Sequence, residues 1–440
     1  MKLPRNSAKY ADIDIKDYYG IKVASIWAGL KSESPAFWWL CIYMIFEYIR
    51  PQSIYQVIDI LPWGQIALIM ACITAFTDRN IKYVKSSTNT LLILFTIIVL
   101  LSCIFAFQPS TAFDKIDIPI NWLILYFLII TTLNTEKKYF IFILLFLLVN
   151  FKMSQHGFIT YASRGFGYAR WGLAGAPGWF QNAGDFGIQM VIFTPLATTF
   201  ILALRSYWGR YKCLLFYLFP FTGLIVLIGT ASRGAQLGVM AIGFWFLMKS
   251  RNGIKAMAGI LIIGWALFSI LPEKMLDEYT TAGEDSTSEN RLVLWSYGLE
   301  VVGDYPVLGI GLENFLGYCW FMNPVIVEGA TACQETHNTY IEALTEVGVT
   351  GFLVYILILI SMLVINARTR ANAESLDNKF IWYISHGLDG GLIGYMISSV
   401  FISVLFYPMV WVQLAMITSL YTISKKQLID AEIRLKKAKV

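Results

Sequence analysis

The chain has 440 residues, 57% of them hydrophobic and only 14% charged. A soluble domain carries roughly 45–50% apolar and about 25% charged residues, so the composition makes lipid part of the solvent. A net charge of +5 is too weak a bias for a nucleic-acid partner, and none is expected.

Residues 1–35 are polar and mixed in charge, so the first hydrophobic run is expected to act as its own insertion signal. Spanning a bilayer takes about 20 apolar residues, with a range of roughly 17–25. Runs that fit or nearly fit cover 36–49, 62–77, 90–107, 119–133, 138–151, 186–204, 213–230, 234–249, 254–271, 350–366, 388–406 and 408–424. The predicted fold is an all-α polytopic membrane protein with about twelve transmembrane helices. The runs 119–133 and 138–151 are short. The last two, joined at Pro408, read as a hairpin or as one broken helix.

Alternating the runs from an inner N-terminus puts 26 of the 34 Lys and Arg on inside segments and eight outside. That asymmetry is the positive-inside pattern, and it predicts both termini in the cytoplasm of a cell inner membrane. The expected organisation is a cytoplasmic segment 1–35, helices one to nine over 36–271, a large periplasmic loop 272–349, helices ten to twelve over 350–424, and a basic cytoplasmic tail 425–440.

Two outside loops are long. Residues 152–185 are rich in Gly and aromatics, and 272–349 is the largest polar stretch. Within the latter, 289–302 reads as an amphipathic helix with Leu292, Trp295, Leu299 and Val302 on one face and Ser288 as N-cap. Pro306 and Gly309-Ile310-Gly311 then break the chain. A second helix is expected from near Thr336 or Thr339 to Gly348, with Thr339 and Glu342 placed for a capping box.

Outside cations are scarce and need a reason. Arg233 sits in a minimal turn between two hydrophobic runs, where it either snorkels to headgroups or clamps a diphosphate with its guanidinium fork. Arg291 opens the amphipathic helix, beside Glu289. Arg164 and Arg170 are weaker candidates for the same anion. His337 falls at the start of the helix that leads back to the membrane, a setting that favours neutral imidazole and so a general base. His156 and His386 read as structural. Cys319 and Cys333 share the large loop and could pair in an oxidising compartment. No P-loop, HExxH motif or paired zinc spacing occurs, and neither a metal nor a cofactor is expected.

The stretches Thr230-Ala-Ser-Arg-Gly-Ala235, Glu289-Asn-Arg-Leu-Val-Leu-Trp295, Pro306-Val-Leu-Gly-Ile-Gly311 with Phe315, and Thr336-His-Asn-Thr-Tyr-Ile-Glu342 with Gly348 resemble, in order and spacing, the O-antigen ligase family. Gly175-Ala-Pro-Gly178 to Asp185 resembles the loop before the sixth helix in exosortase-associated members. The resemblance implies a glycosyltransferase type C-like fold and an inverting, metal-independent enzyme. Its donor would be a glycan on undecaprenyl diphosphate, and its acceptor a lipid A-core sugar or another glycan or protein, amid membrane lipids. Arg233 and Arg291 would hold the diphosphate, helped by Arg170 and Arg164, and His337 would activate or position the acceptor hydroxyl. Trp320, Tyr318 and Asn338 would meet sugar, although such aromatics equally suit an interfacial belt. The alternatives are an O-antigen polymerase, a protein O-oligosaccharyltransferase and, less favoured, a polysaccharide transporter or flippase.

Overall fold

The computed structural model describes residues 13–78, 81–167, 172–250, 252–268, 286–322, 324, 326–327, 330–331 and 333–438. Two short helices come first, α1 (Ile15–Tyr19) and α2 (Val23–Ser32). A helix then lies over each of the twelve hydrophobic runs. Nine precede the large loop: α3 (Pro35–Tyr48), α4 (Trp63–Thr77), α5 (Ser87–Ile104), α6 (Asp117–Thr132), α7 (Glu136–Ser163), α8 (Ala183–Leu204), α9 (Arg210–Gly229), α10 (Arg233–Lys249) and α11 (Gly253–Phe268). The loop holds α12 (Ser286–Asp304), α13 (Phe315–Phe321) and an antiparallel pair of two-residue strands, β1 (Ile326–Val327) and β2 (Ala330–Thr331). After it come α14 (Thr339–Ser375), α15 (Lys379–Ser398) and α16 (Pro408–Ala438).

Among the described residues, five helices are long and apolar enough to cross a membrane: α5, α7, α8, α9 and α14. Several helices outrun their apolar stretches. The α7 helix continues to Ser163, twelve residues into what reads as a glycine-rich loop, because Lys152, Gln155 and His156 end the apolar run without ending the helix. Residues 425–438, expected as a tail, extend α16 for the same reason. Polar side chains leave the backbone ladder intact, and the chain turns away at Gly165 and Phe166, both with positive φ.

The bundle is organised around α8, almost wholly buried along its length. Helix α15 packs on it through Gly387, Gly391 and Gly394, one residue per turn. A Cβ at Gly387 would stand 3.0 Å from Leu196 Cα, and one at Gly394 would stand 2.4 Å from Val191 Cγ1. Close approach of small-residue faces supplies packing where lipid weakens the hydrophobic drive between helices.

The N-terminal segment is tied to the bundle at the start of α9. Trp208 Nε1 donates to the Tyr19 carbonyl at 2.6 Å and Lys212 Nζ to that of Gly20 at 2.8 Å. The Tyr19 hydroxyl also donates to Glu136, a carboxylate shared with Asn378 and Gln427.

Between α15 and α16 the chain does not make a simple hairpin turn. The α15 helix starts nine residues before its apolar run, tightens into one 3-10 turn at Ser399–Phe401, and then runs non-helically and buried over 402–406. Buried backbone must find partners. Here Thr339 Oγ1 donates to the Ile402 carbonyl at 2.6 Å and accepts from Val404 N at 3.1 Å. Leu405 N donates to Glu342 at 3.2 Å, and the indoles of Trp122 and Trp411 donate to the carbonyls of Phe406 and Leu405. Thr339 and Glu342 are therefore spent on this segment and form no capping box. Asn338 is the N-cap instead, accepting from Tyr340 N at 2.9 Å and Ile341 N at 3.2 Å.

Candidate functional site

Helix α12 begins at Ser286, so Ser288 lies inside its first turn rather than capping it. The face it buries is Leu294, Tyr297 and Val301. Leu292 and Leu299, expected inside, are 58% and 55% exposed. Both stripes have helical spacing; the choice falls to the loop's own small core, in which Tyr297 and Val301 join Ile310, Phe315 and Tyr318. Cys319 and Cys333 close this core as a disulfide with Cα atoms 5.7 Å apart. Closing a loop of that length stabilises by roughly 3 kcal/mol on the chain-entropy estimate. The double variant Cys319→Ser/Cys333→Ser is expected to raise protease sensitivity of the loop while leaving the bundle protected. Equal cleavage rates in variant and wild type would contradict this.

The loop is fastened to the bundle at a helix break. Gly348 has φ +68 inside α14, and the break frees carbonyls one turn earlier. The 306–311 turn answers them: Ile310 N donates to Thr345 O at 2.8 Å and Gly311 N to Glu346 O at 3.0 Å. In return Val349 N donates to Pro306 O at 2.8 Å. The other side of the loop rests on the end of α5, where Phe107 N donates to Ile310 O at 2.8 Å.

This fastening sets Arg291 and His337 against each other. Trp295, one turn after Arg291, donates its Nε1 to the Thr336 carbonyl at 2.9 Å, next to His337. The half-buried His337 takes a left-handed backbone conformation with φ 47. Burial, and then the positive charge of Arg291, lower its imidazole from the ordinary value of 6.5. His337 is thus neutral near pH 7. The unfolded chain binds a proton there near 6.5 that the folded chain refuses until lower pH, so acid costs stability as pH falls through that window. A histidine NMR titration should place His337 below 6.5, and Arg291→Gln should move the midpoint upward. A wild-type midpoint at or above 6.5 would contradict the arrangement.

Arg233 approaches the same place from the bundle. Ala231 is left-handed at φ 53, and Ser232 caps α10 by accepting from Ala235 N at 3.3 Å. The half-buried Arg233 is the first residue of that helix. Phe401 connects the two sides. Its ring lies 6.4 Å from that of Trp295, and a Cβ on Gly234 would stand 2.8 Å from Phe401 Cβ. The residue after Arg233 and the residue one turn after Arg291 thus both border Phe401.

Other candidates fall elsewhere. Arg164 is exposed past the end of α7, and Arg170 lies outside the described residues. Tyr318 is buried, packed edge-on against Phe107 and Tyr305, and Asn338 is buried with its side-chain oxygen accepting as the N-cap. Trp320 is 51% exposed. Phe401 and Ser403, whose hydroxyl lies 3.1 Å from that of Thr336, are the residues that sequence reasoning missed. They sit within what reads as an ordinary apolar run.

Apolar helices of spanning length, five of them among the described residues, define a polytopic membrane protein. Residues 218–356, which contain Arg233, Arg291 and His337, match the O-antigen ligase family, so the family resemblance is shown over this segment. Residues 16–181 match a second family, described as being of unknown function. The chain is also 26% identical over 196 residues to the exopolysaccharide production protein ExoQ of Rhizobium meliloti (strain 1021). That match covers 41% of this chain and 44% of the relative, less than half the length of either.

Proposed function

We propose that the protein is a membrane glycosyltransferase that moves a glycan from undecaprenyl diphosphate to an acceptor hydroxyl at the extracytoplasmic membrane surface. The carrying observation is the positive charge of Arg291 acting on the half-buried imidazole of His337, with Phe401 packed between the helix start that bears Arg233 and the helix that bears Arg291. The acceptor oxygen attacks the anomeric carbon from the face opposite the diphosphate and inverts it. The bond from that carbon to the phosphate oxygen breaks, and its electron pair leaves with the lipid diphosphate. His337 takes the hydroxyl proton or orients the hydroxyl. Arg233 and Arg291 stabilise the charge that develops on the leaving group. In this reading the Arg233 turn and the 286–338 loop face the periplasm, the basic ends lie inside, and the twelve helices span.

The relative's name, exopolysaccharide production protein, supports a second reading in which the acceptor is itself a growing polysaccharide. Gene deletion followed by gel analysis of surface glycans separates the two. Loss of all polymer from lipid A-core supports ligation. A single repeat left on the core supports polymerisation. An unchanged glycan profile would remove both.

A further inference from the structure

A polar cavity opens near the turn that precedes Arg233, and none of its residues belongs to the cationic cluster. It encloses about 370 Å³ between the ends of α3 and α4, the start of α6 and the strap 172–182. That volume is in the range of small-molecule sites, roughly 300–1,000 Å³. Its lining falls within residues 43–179, inside the segment matched by the family of unknown function.

The walls pair indole rings with hydrogen-bonding groups. Trp63 donates its Nε1 to Ile58 O at 2.6 Å, Trp122 to Phe406 O at 2.7 Å, and Trp179 to the carboxylate of Glu47. Each ring is thereby fixed by its polar edge. Arg50 has a left-handed backbone at φ 49, and its guanidinium lies under Gly178, where a Cβ would come within 2.0 Å of Nη1. Arg50 Nε and Gln52 Oε1 are buried without a hydrogen-bond partner among the described residues. Buried polar atoms left this way point to a ligand that supplies both donors and acceptors.

The charge balance selects the ligand class. Glu47, Asp59 and Asp117 face Arg50 alone among the charged lining groups, so the cavity is net acidic and disfavours phosphate. A neutral polyhydroxylated molecule suits it: sugar C–H faces against fixed indoles, hydroxyls to Glu47, Arg50 and Asn121. The strap ties this cavity to the cationic site. It begins with Leu173 N donating to Gly229 O at 3.0 Å, just before the Arg233 turn, and carries Trp179 into the cavity wall. The Trp179 ring is 5.0 Å from Tyr407, at the end of the segment that Thr336 and Thr339 hold.

We propose that this cavity is a saccharide-binding site that holds sugar rings of the acceptor while its reactive hydroxyl reaches His337. The saccharide specificity stands on the cavity itself; the acceptor role rests on the glycosyltransferase reading.

The test is calorimetric binding to the full chain in lipid nanodiscs. The probe is lipid-free oligosaccharide released by mild acid from the producing cell's own lipopolysaccharide. Wild type and Arg233→Ala should bind alike. Asn121→Ala and Trp63→Ala should each weaken binding at least tenfold and raise the acceptor concentration for half-maximal transfer by the same factor. Asn121 is partly exposed and spares the core, which guards against a folding artefact. Binding by wild type without any transfer would sink the enzyme reading and leave the saccharide site standing. Unaltered binding in both variants, no binding by wild type, or displacement by inorganic phosphate would overturn the site.

Discussion

Arg233→Ala should cut glycan transfer by at least about 10²–10³-fold without changing the amount of protein in the membrane. That is the scale for deleting one fixed group that stabilises developing charge in a transition state. The residue is the first of α10, where helix N–H groups already favour an anion, so in the proposed reaction the guanidinium and the helix end would act on one leaving group. Arg233→Lys should recover little, because an ammonium keeps the charge but loses the planar fork that meets two phosphate oxygens at once. The backbone around it is held by contacts that do not involve its side chain: Ser232 caps Ala235, and Leu173 pairs with Gly229. Abundance and thermal stability should therefore stay near wild type, and in vitro transfer with a defined undecaprenyl-linked donor reads the loss. Transfer within a fewfold of wild type in Arg233→Ala would remove this residue from the mechanism.

The positions of the hydrophobic elements were legible because a long apolar run admits few alternatives, and a helix stands over each run. Element ends were less so. Apolarity marks where lipid could lie, whereas helices end where backbone geometry or a cap ends them, as α7 shows by continuing to Ser163. The proposal of Arg233, Arg291 and His337 came from the scarcity of cations in the segments expected outside and from short motifs. The packing of Phe401 between Gly234 and Trp295 was not legible, since it depends on the chain leaving α-helical geometry at 399–406 in a stretch as apolar as any span. The inward face of α12 was misread for a related reason. Leu292 and Leu299 have the same period as Leu294, Tyr297 and Val301, and the partner that decides between them lies some twenty residues on, at Phe315 and Tyr318. Likewise Thr339 and Glu342 have the spacing of a local cap, and a segment more than sixty residues away takes both.

Gly348→Ala is expected to abolish most of the proposed transfer from a position that bears no side chain. With φ +68 and ψ −179 the residue occupies backbone space essentially closed to side chains, a strain of order 1–3 kcal/mol for any other amino acid. An added Cβ would also stand 2.3 Å from Val307 O and 2.7 Å from Gly309 N. Relief by moving the 306–311 turn breaks the bonds from Ile310 and Gly311 to the carbonyls of Thr345 and Glu346, and these are the clasp between loop and bundle. Relief by straightening α14 removes the break that exposes those carbonyls. Either way α12 loses its register on Thr336, and Arg291 leaves His337. Transfer should fall at least tenfold, the loop should become protease-sensitive, and the His337 titration should rise toward 6.5. Gly303→Ala is the matched control: it lies in α12 with no atom within 4 Å of an added Cβ, and should gain rather than lose stability, by up to about 1 kcal/mol. A Gly348→Ala protein with wild-type transfer and an intact loop would show that the clasp does not hold the cationic site together.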